Sequence, residues 1–578
     1  MQPVDFTTLV AVCSELRSHY LPARCEQVVQ RDRYTLCMAL RTLNQRGWLT
    51  LSWHPQAARL HIGSSPPKGP ETFTFSQQLK HQLNGLVLTQ LNFISPWERA
   101  IDLQFAARPG EPTKYHLYVE VMGKYSNVLL THADQTVITA AHQVSEQQSS
   151  LRPISTGDRY VHPPALSGPV PNPQESYSDW KDRISLIPGK LRKMMIQTYS
   201  GLSSALLRQL ISAAQLDPEQ NTDSLSETDW KRLFEQWQLW LTRLEHEDFE
   251  PGWCKTGYTV LGWGLQTPAQ STQQLLDTYY QQQLDQQTFS QLHHQLSQRL
   301  KTVMGKLRQK VADFEQRLTQ SDQADIYRQQ ADLLMAHPHA WKPGLKTIEL
   351  TDFDTGEPVK IPLNPEKTGI QNAQRLYKRH QKQKRARKAI VPLLTAVNSE
   401  LSYLEQVESA LQQVPTYTQP ADLESLSEIR AELIDQGYLD IPYVQNRKGQ
   451  HPNFRRFTSP DGHELLVGRN NNQNDTLTSK VATDYDLWLH TQEIPGSHVL
   501  LRLSAGEIAS DTDLAFAADM AAYFSRARQS EQVPVVYTQP KHVYKPKGAR
   551  PGMVIYTHEQ VLWGQPQRAK FLLAKADS

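Results

Sequence analysis

Two long runs of regularly spaced apolar residues constrain this chain most. The first run steps by three, four and four residues and comprises Phe289, Leu292, Leu296, Leu300, Val303, Leu307, Val311, Phe314 and Leu318. This 11-residue repeat is typical of a nearly straight or slightly right-handed coil. The second run is closer to heptad spacing and comprises Ile390, Leu394, Val397, Leu401, Leu404, Val407, Leu411 and Val414. The two patterns predict two long helices.

The segment between these helices has the pattern of a hairpin. It runs from Lys346 to Leu363 and turns at Asp354, Thr355 and Gly356. Together the elements predict an antiparallel coiled-coil arm over residues 286–418, with a tip insert at about 337–366. Thirty residues of helix reach roughly 45 Å at ~1.5 Å per residue. Such an arm suits contact with a distant point on a large partner; a structural spacer or a dimer coil is the alternative.

Composition sets the outer limits. The 578 residues exceed what one hydrophobic core organises, so several domains are expected. The hydrophobic fraction of 39% and the absence of a long apolar stretch predict a soluble protein without a membrane span. The N-terminus resembles a folded amphipathic helix and not a signal peptide. The four cysteines have no zinc or CxxC spacing, which favours inert thiols in a reducing cytoplasm.

The N-terminal region, residues 1–173, alternates short apolar runs with turns and predicts a mostly β domain with an opening helix. Its candidate strands are Tyr34–Leu40, Trp48–Trp53, Arg59–Ile62, Ala100–Phe105, His116–Val121 and Asn127–Thr131. The Pro-rich stretch His162–Pro173 is typical of a linker. Residues 174–285 are predicted to form a helical module, helical over about 176–248, and a connecting segment; Thr198–Leu216 has a Gly-containing turn between two helices. A helix-hairpin-helix module and an ordinary helical hairpin both fit this segment.

The C-terminal region, residues 419–578, contains a segment of two short strands, Asp486–Arg502, that turns at Pro495 and Gly496. Side chains alternate across a strand, so one face of this hairpin carries Asp486, Trp488, His490, His498, Leu500 and Arg502. Such a face, if exposed, can stack on bases and meet phosphates. The alternative is a hairpin whose Trp and His are half-buried and satisfied locally.

Two basic stretches predict contact with nucleic acid. The first has no acidic residue between Gln371 and Ser399 and carries Arg375, Lys378, Arg379, Lys382, Lys384, Arg385, Arg387 and Lys388. Like charges at helical spacing repel each other, and a polyanion would relieve that cost. The second stretch surrounds Tyr544 with Lys541, His542, Lys545, Lys547 and Arg550. A merely solvated basic surface is the alternative for both.

Several short sequence motifs of this chain occur in the order in which one protein family has them. GRNNNQND at Gly468–Asp475, the hairpin after it and VPVVYTQPKHVYKPKGARPGMVIYTHEQ resemble the C-terminal RNA-binding domain of the NFACT family. WERAIDLQF, LYVEVMGKYSNVLL and LRPISTGDRYVHPP resemble its N-terminal domain. ADIYRQQADLLMAH and IPLNPEKTGIQNAQRLYKRHQKQK resemble its middle region. The resemblance covers nearly the whole chain.

The resemblance implies an α+β multidomain fold: a β-rich glycosylase-like N-terminal domain, a helical module, the arm and an α/β RNA-binding domain. It assigns the family's tRNA-handling Asp-Arg pair to Glu98 and Arg99, where this chain has the longer acid. An ordinary surface salt bridge of Arg99 with Glu98 or Asp102 is the alternative. A second family cluster maps onto Glu120, Val121 and Met122. The implied surface of the RNA-binding domain comprises Arg469, Asn470, Asn471, Asp486, Trp488, His490, His498, Arg502, Lys545 and Lys547.

The resemblance further implies a cytoplasmic quality control factor that binds large ribosomal subunits and charged tRNA, is monomeric off the ribosome, and uses no cofactor or metal. The expected role is non-catalytic, since Pro3 is neither terminal nor followed by an acid and cannot serve as a glycosylase nucleophile. The family's typical charged tRNA is alanyl-tRNA, but the sequence leaves the added amino acid open. A fibronectin-binding surface adhesin and a general RNA- or DNA-binding protein without tailing activity are the alternatives.

Overall fold

The computed structural model describes residues 1–67, 69, 72–149, 152–164, 168–440 and 453–576. The chain forms two compact units, Met1–Leu284 and Asp285–Ser578. The domain boundaries at 173 and 418 lie within these units and stay predictions. Residues 165–167 of the predicted linker and Leu151 of the third N-terminal motif lie outside the described residues. Within the described residues, no helix combines the length and the apolar character that crossing a membrane requires.

The first unit is built on a nine-stranded antiparallel sheet. Its elements are α1 (Phe6–Tyr20), β1 (Ala23–Asp32), β2 (Thr35–Arg41), β3 (Arg46–Ser52), β4 (Arg59–Gly63), α2 (Thr74–Leu83), β5 (Val87–Phe93), β6 (Ala100–Ala106), β7 (Tyr115–Glu120), β8 (Asn127–His132) and β9 (Val137–Ala140). The strand order is β4-β3-β2-β1-β5-β6-β7-β8-β9. All six predicted strands are confirmed within two residues at either end, and β1, β5 and β9 are additional.

Helices pack beside this sheet in the same unit. They are α3 (Tyr177–Ser185), α4 (Leu191–Thr198), α5 (Ser204–Ala213) and α6 (Glu227–Glu245), followed by the small sheet β10 (Gly252–Cys254), β11 (Gly257–Thr259) and β12 (Leu265–Pro268). The predicted pair of helices around a glycine turn is confirmed as α4 and α5. Gly201 in that turn has a φ of 84°, a left-handed value that glycine adopts without steric cost. Buried Trp180, Trp237 and Trp240 join the helices to the sheet core.

The second unit begins with long helices. They are α7 (Thr272–Asp322, which starts in the first unit), α8 (Ala324–Ala336), α9 (Gly369–Gln412) and α10 (Pro420–Asp435), with the hairpin β13 (Thr347–Thr351) and β14 (Pro358–Pro362) between α8 and α9. Arg308 forms an ion pair with Glu405 at 3.2 Å, and His380 Nδ1 lies 2.9 Å from the Ala324 carbonyl. These pairs show that α9 runs antiparallel to α7 and α8.

The second unit ends in a six-stranded antiparallel sheet with the order β15-β16-β18-β17-β19-β22. Its elements are β15 (Arg455–Thr458), β16 (Glu464–Val467), α11 (Asn471–Thr476), β17 (Leu487–Thr491), β18 (Val499–Leu501), α12 (Asp511–Tyr523), β19 (Val533–Thr538), β20 (Val543–Tyr544), β21 (Ile555–Tyr556), β22 (Gln560–Gly564) and α13 (Pro566–Ala576). The predicted hairpin is confirmed as β17 paired with β18. Helix α12 covers one face of the sheet.

Candidate nucleic-acid interface

The two N-terminal clusters that the sequence singles out lie side by side. Glu98 and Arg99 precede β6, and Glu120 ends β7. Ala100 is the register partner of Glu120, and the Arg99 carbonyl accepts a hydrogen bond from the Val121 amide at 2.8 Å. Residues that are twenty positions apart in the chain therefore form one corner at this end of the sheet.

Trp97 fixes the backbone that enters this corner. Its φ of 65° is unusual for a bulky residue and persists only where the surroundings determine it. The indole ring lies 4.9 Å from the Phe6 ring and 5.5 Å from the Trp240 ring. A Cβ on Gly201 would lie 3.4 Å from the indole, so the α4–α5 turn also packs closely on it. Packing from three elements thus positions the following two residues.

The Arg99 side chain is half-buried, and its Nη1 lies 3.5 Å from the Val4 carbonyl, which is at the long limit for a hydrogen bond. Asp102, which sequence reasoning offered as its salt-bridge partner, instead lies 2.9 Å from His116 Nδ1. Glu98 is buried, with 8% of its surface exposed. The guanidinium is therefore only weakly held by the Val4 carbonyl at the rim of a rigid corner.

Glu120 belongs to the core. It is 1% exposed, its Oε2 accepts a hydrogen bond from Arg152 Nη1 at 2.9 Å, and its Oε1 accepts one from the Tyr160 hydroxyl at 2.8 Å. Burial disfavours the charged guanidinium, but the Glu120 hydrogen bond and charge outweigh it and leave the pKa of Arg152 raised. Burial and then the same carboxylate raise the pKa of Tyr160. Arg152 and Tyr160 belong to the third N-terminal motif, LRPISTGDRYVHPP, and Glu120 belongs to the second, LYVEVMGKYSNVLL. The contact therefore joins two of the family motifs.

This burial corrects the prediction that all three residues of the second cluster, Glu120, Val121 and Met122, contact RNA directly. Glu120 and Val121 are both buried and support the turn that follows, whereas Met122 is half-buried. That turn carries Lys124 and Tyr125, which are exposed and which sequence reasoning did not single out. The available signal was a Gly-Lys-Tyr turn between two predicted strands.

The basic stretch of α9 is exposed, as its charge predicts. All eight predicted cations, Arg375, Lys378, Arg379, Lys382, Lys384, Arg385, Arg387 and Lys388, lie at the surface of the helix. The Arg379 guanidinium lies 4.3 Å from the centre of the Tyr327 ring on α8. Contact of this surface with RNA stays a prediction.

The interpretation of the C-terminal hairpin face as an exposed stacking surface is wrong. Trp488 is 0% exposed, and Asp486 and His498 are equally enclosed. Thr478 Oγ1 lies 2.7 Å from His498 Nδ1 and 3.1 Å from Trp488 Nε1. Burial lowers the pKa of His490 to about 4 and that of His498 well below its usual value. The alternative of a locally satisfied hairpin face is the one observed.

Arg502, the remaining cation of that face, is half-buried and makes an internal ion pair. Its Nε lies 3.2 Å from Asp486 Oδ1. The same carboxylate accepts hydrogen bonds from the Leu503 amide at 3.2 Å and from the Thr483 amide at 2.7 Å. Arg502 therefore neutralises a buried acid at the end of β18.

The Asn-rich segment is also internal. Arg469, Asn470 and Asn471 are buried and face acidic residues of α10. Arg469 Nη1 lies 3.6 Å from Asp422, and Asn471 Nδ2 donates to Glu432 at 2.9 Å. The prediction that these three residues form an RNA surface is corrected: they dock α11 and its preceding turn against α10.

The exposed part of the C-terminal candidate surface is the segment around β20, from Lys541 to Lys547. Lys541, Tyr544, Lys545 and Lys547 are exposed. Lys545 pairs with Asp475, and the Arg550 guanidinium lies 5.0 Å from the Tyr403 ring. Of the ten residues predicted for this domain's surface, Lys545 and Lys547 are exposed, and the other eight are buried or half-buried.

Comparison with known proteins bears on this arrangement. Residues 5–452 match the family described as NFACT N-terminal and middle domains, and residues 453–557 match the NFACT protein RNA binding domain. The chain belongs to the NFACT family. The buried Asn-rich turn and the Glu120 corner are thus elements of an NFACT protein.

This NFACT chain is similar along its whole length to curated proteins named Rqc2 homolog RqcH. The Streptococcus suis protein is 30% identical over 96% of this chain and 97% of its own length. The Bacillus subtilis protein is 29% identical over 96% of each. A solved structure of the C-terminal of the fibronectin/fibrinogen-binding protein from Streptococcus suis is 33% identical, with a TM-score of 0.38, and covers 49% of this chain and 98% of that one.

Proposed function

We propose that this protein is a ribosome-associated quality control factor. It binds large ribosomal subunits that still hold peptidyl-tRNA and recruits charged tRNA, with alanyl-tRNA as the first candidate, for template-free extension of the stalled chain. Support comes from relatives named Rqc2 homolog RqcH, which are similar over nearly the full chain, and from the match to an RNA-binding domain.

The observation that carries the proposal is the corner at Glu98 and Arg99. Packing around Trp97 fixes the backbone, while in the described part of the chain the contact of the Arg99 guanidinium is a long 3.5 Å hydrogen bond to the Val4 carbonyl. A guanidinium is planar, always charged and able to grip a phosphate with two parallel hydrogen bonds. A pre-positioned fork of this kind suits the backbone of a tRNA.

The other parts of the molecule have complementary roles in this proposal. The helices α7 and α9 act as a coiled-coil arm that reaches ribosomal RNA and proteins at the stalk base, and the cations of α9 meet phosphates. The protein makes no peptide bond itself; the ribosome does. The first unit is proposed to have a glycosylase-like domain and a helix-hairpin-helix-like module, and the protein acts in the cytoplasm as a monomer.

The test removes the guanidinium of Arg99. Arg99→Ala should lower the amount of tRNA that co-purifies with the protein on large subunits about tenfold or more, since a charge-assisted bond to phosphate is worth ~1.5–3 kcal/mol. Arg99→Lys should rescue only in part, because an ammonium lacks the fork. C-terminal tails on a stalled reporter should fall in parallel.

Arg108→Ala is the matched control, because Arg108 is an exposed arginine of the same unit outside the corner. It should leave tRNA occupancy and tails unchanged. Normal tRNA occupancy in Arg99→Ala would refute the role given to this corner. Normal RNA binding by the wild type without any tails on the reporter would favour a general RNA-binding protein.

A further inference from the structure

Three arginines of the second unit come together beside one carboxylate. Arg455 begins β15, Arg469 follows β16, and Arg528 lies in the turn after α12. Asp422 pairs with Arg469, whose Nη1 lies 3.6 Å away. Among the residues that the structure describes, no carboxylate oxygen lies within ion-pair distance of Arg455 or Arg528. The cluster therefore carries more positive than negative charge.

The Arg455 guanidinium is held in place without a counter-charge. Its Nη1 donates to the Gln413 Oε1 at 3.3 Å, and its central carbon lies 4.6 Å from the centre of the Phe524 ring. Gln413 is fixed in turn, since its Nε2 donates to the Phe524 carbonyl at 2.7 Å. Burial and then the Arg469 charge lower the pKa of Arg455 to about 9. The surroundings thus disfavour the charged form of this side chain.

Two aromatic rings connect Arg528 to Arg455. The Arg528 guanidinium donates to the Tyr523 hydroxyl and lies 3.9 Å from the centre of the same ring. The Tyr523 and Phe524 rings have their centres 5.0 Å apart and their planes at 87°. The charge of Arg528 also acts to lower the pKa of Arg455. Both arginines are half-buried, so their side chains stay partly accessible to solvent while the rings limit their orientation.

We propose that Arg455 and Arg528 form a site that binds a phosphate group. A guanidinium donates parallel hydrogen bonds to phosphate, and the negative charge offsets the repulsion between the arginines. The two guanidiniums lie over rings that are nearly perpendicular. A tetrahedral phosphate presents oxygens in several planes and suits both, whereas a planar carboxylate suits one. This inference goes beyond the proposed function, because it holds whether RNA or free inorganic phosphate supplies the group.

The first measurement titrates inorganic phosphate into the full-length protein by calorimetry at constant ionic strength. Arg455→Met and Arg528→Met keep most of the side-chain length and should each weaken phosphate binding about tenfold or more, since each removes charge-assisted hydrogen bonds. Arg455→Lys keeps the charge without the fork and should lose less. Each variant is compared with the wild type in the same chloride buffer.

Arg456→Met is the matched control. Arg456 is the next residue of β15, lies on the opposite face of the strand, is exposed and pairs with Glu464. Its replacement should leave phosphate affinity within twofold of the wild type. An equal loss of affinity in Arg456→Met and Arg455→Met would mean that phosphate responds only to net charge, which would overturn the site.

The second measurement uses a short oligouridylate to identify the source of the phosphate. If RNA supplies it, Arg455→Met should weaken oligouridylate binding about tenfold and lower the slope of log K against log salt by about 0.7. Unchanged oligouridylate binding with a loss of inorganic phosphate binding would assign the site to free phosphate. Equal affinity of the wild type, Arg455→Met and Arg528→Met for both probes would overturn the inference. Loss of tRNA in Arg99→Ala would then leave the proposed function standing.

Urea unfolding with and without phosphate gives an independent readout. Phosphate should raise the midpoint of the wild type more than that of Arg455→Met, because it binds the folded state of the wild type more tightly. An equal rise in the two proteins would overturn the inference. Arg528→Met, in a turn and half-buried, gives the same comparison if Arg455→Met does not fold.

Discussion

At the scale of single residues, Glu120 shows how a residue of a functional motif can act through the fold. Its carboxylate is removed from water and is compensated by Arg152 and Tyr160. A buried charge without its partner is costly, whereas the intact pair adds little net stability. The contact therefore fixes geometry: it ties the loop at residues 152–160 to the end of β7, next to Arg99.

Glu120→Ala should lower the free energy of unfolding of the first unit by ~3–5 kcal/mol, because it leaves the Arg152 guanidinium without its buried counter-charge. Urea unfolding monitored by tryptophan fluorescence measures this change. Glu111→Ala, at an exposed acid of the same unit, should change it by less than ~0.5 kcal/mol. A loss below ~1 kcal/mol in Glu120→Ala would show that Arg152 finds another partner.

At the scale of elements, strands with clean alternation were predictable and those with mixed polarity were not. Trp48–Trp53 and His116–Val121 gave strands because their buried residues alternate or run together. The strand β1 was missed, since a β-bulge between Cys25 and Gln27 breaks the alternation of its buried residues. The hairpin face around Trp488 was predicted in register but not in burial, because the residues that cover it come from distant segments such as Leu477 and Val554.

At the candidate site too, exposure was predictable where it depends on the local sequence, and burial was not predictable where it depends on distant residues. Local charge density was enough to predict that the α9 cations are exposed. The burial of Arg469 and Asn471 could not be read locally, since their acidic partners Asp422 and Glu432 lie about forty residues earlier in the chain. Polar residues that look like a recognition surface can equally be the polar half of an internal contact.

The half-buried His490 and the buried His498 give the C-terminal sheet a defined response to acid. The pKa of His490 is lowered to about 4 in the folded state by burial, below the usual 6.5 of the unfolded chain. The unfolded state therefore takes up a proton first, and stability is lost as the pH falls from 6.5 towards 4. Glu432 acts in the opposite sense, because burial raises its pKa to about 7 and stability is lost as the pH rises from 4.5 through 7.

His490→Gln should flatten the loss of stability between pH 6.5 and 4, and Glu432→Gln should steepen it. His490→Gln removes a group whose protonation destabilises the folded state. Glu432→Gln removes a group whose protonation stabilises the folded state. Guanidinium unfolding at several pH values, followed by the near-ultraviolet signal of the C-terminal sheet, gives both slopes. Equal slopes in the three proteins would mean that neither group titrates differently in the folded state.

The basic stretch of α9 should set the salt dependence of ribosome binding. Changing Lys382, Lys384, Arg385 and Arg387 to Gln should reduce the slope of log K against log salt for large subunits, since each phosphate contact contributes about 0.7–0.9 to it. The control changes four exposed cations of α7, Lys301, Lys306, Lys310 and Arg317, in the same way. A slope that responds equally to both sets would mean that α9 contributes only general charge.

At the scale of the whole molecule, one helix belongs to both units. Helix α7 starts at Thr272 in the first unit and ends at Asp322 in the second, where its apolar residues Leu296 and Leu300 pack with Tyr403 and Val407 of α9. Beyond that packed base, the two helices continue towards the tip hairpin with fewer buried residues. We therefore predict that the part of α7 and α9 beyond the packed base can be disrupted while the N-terminal and C-terminal regions of the chain stay folded.

Val311→Pro tests that division. Proline at this half-buried position removes a helix hydrogen bond and clashes with the preceding turn, which costs ~3 kcal/mol or more. Association with large subunits should fall at least tenfold, whereas the binding of free tRNA expected from the proposed function should stay within twofold of the wild type. Sedimentation with purified subunits and a filter-binding assay measure the two. A parallel loss of both would show that the arm is not a separate element of recognition.

The hydrogen bonds of Glu432 also limit which substitutions this sequence can accept in evolution. Its Oε1 accepts from the Tyr403 hydroxyl at 2.8 Å and from Asn471 Nδ2 at 2.9 Å, so a single oxygen atom serves α9, α10 and α11. Replacing Glu432 leaves both buried donors without their acceptor, whereas replacing Tyr403 or Asn471 leaves Glu432 with the other donor. Change at position 432 is therefore the most constrained, and a natural variant that alters it is expected to carry compensating changes at positions 403 and 471.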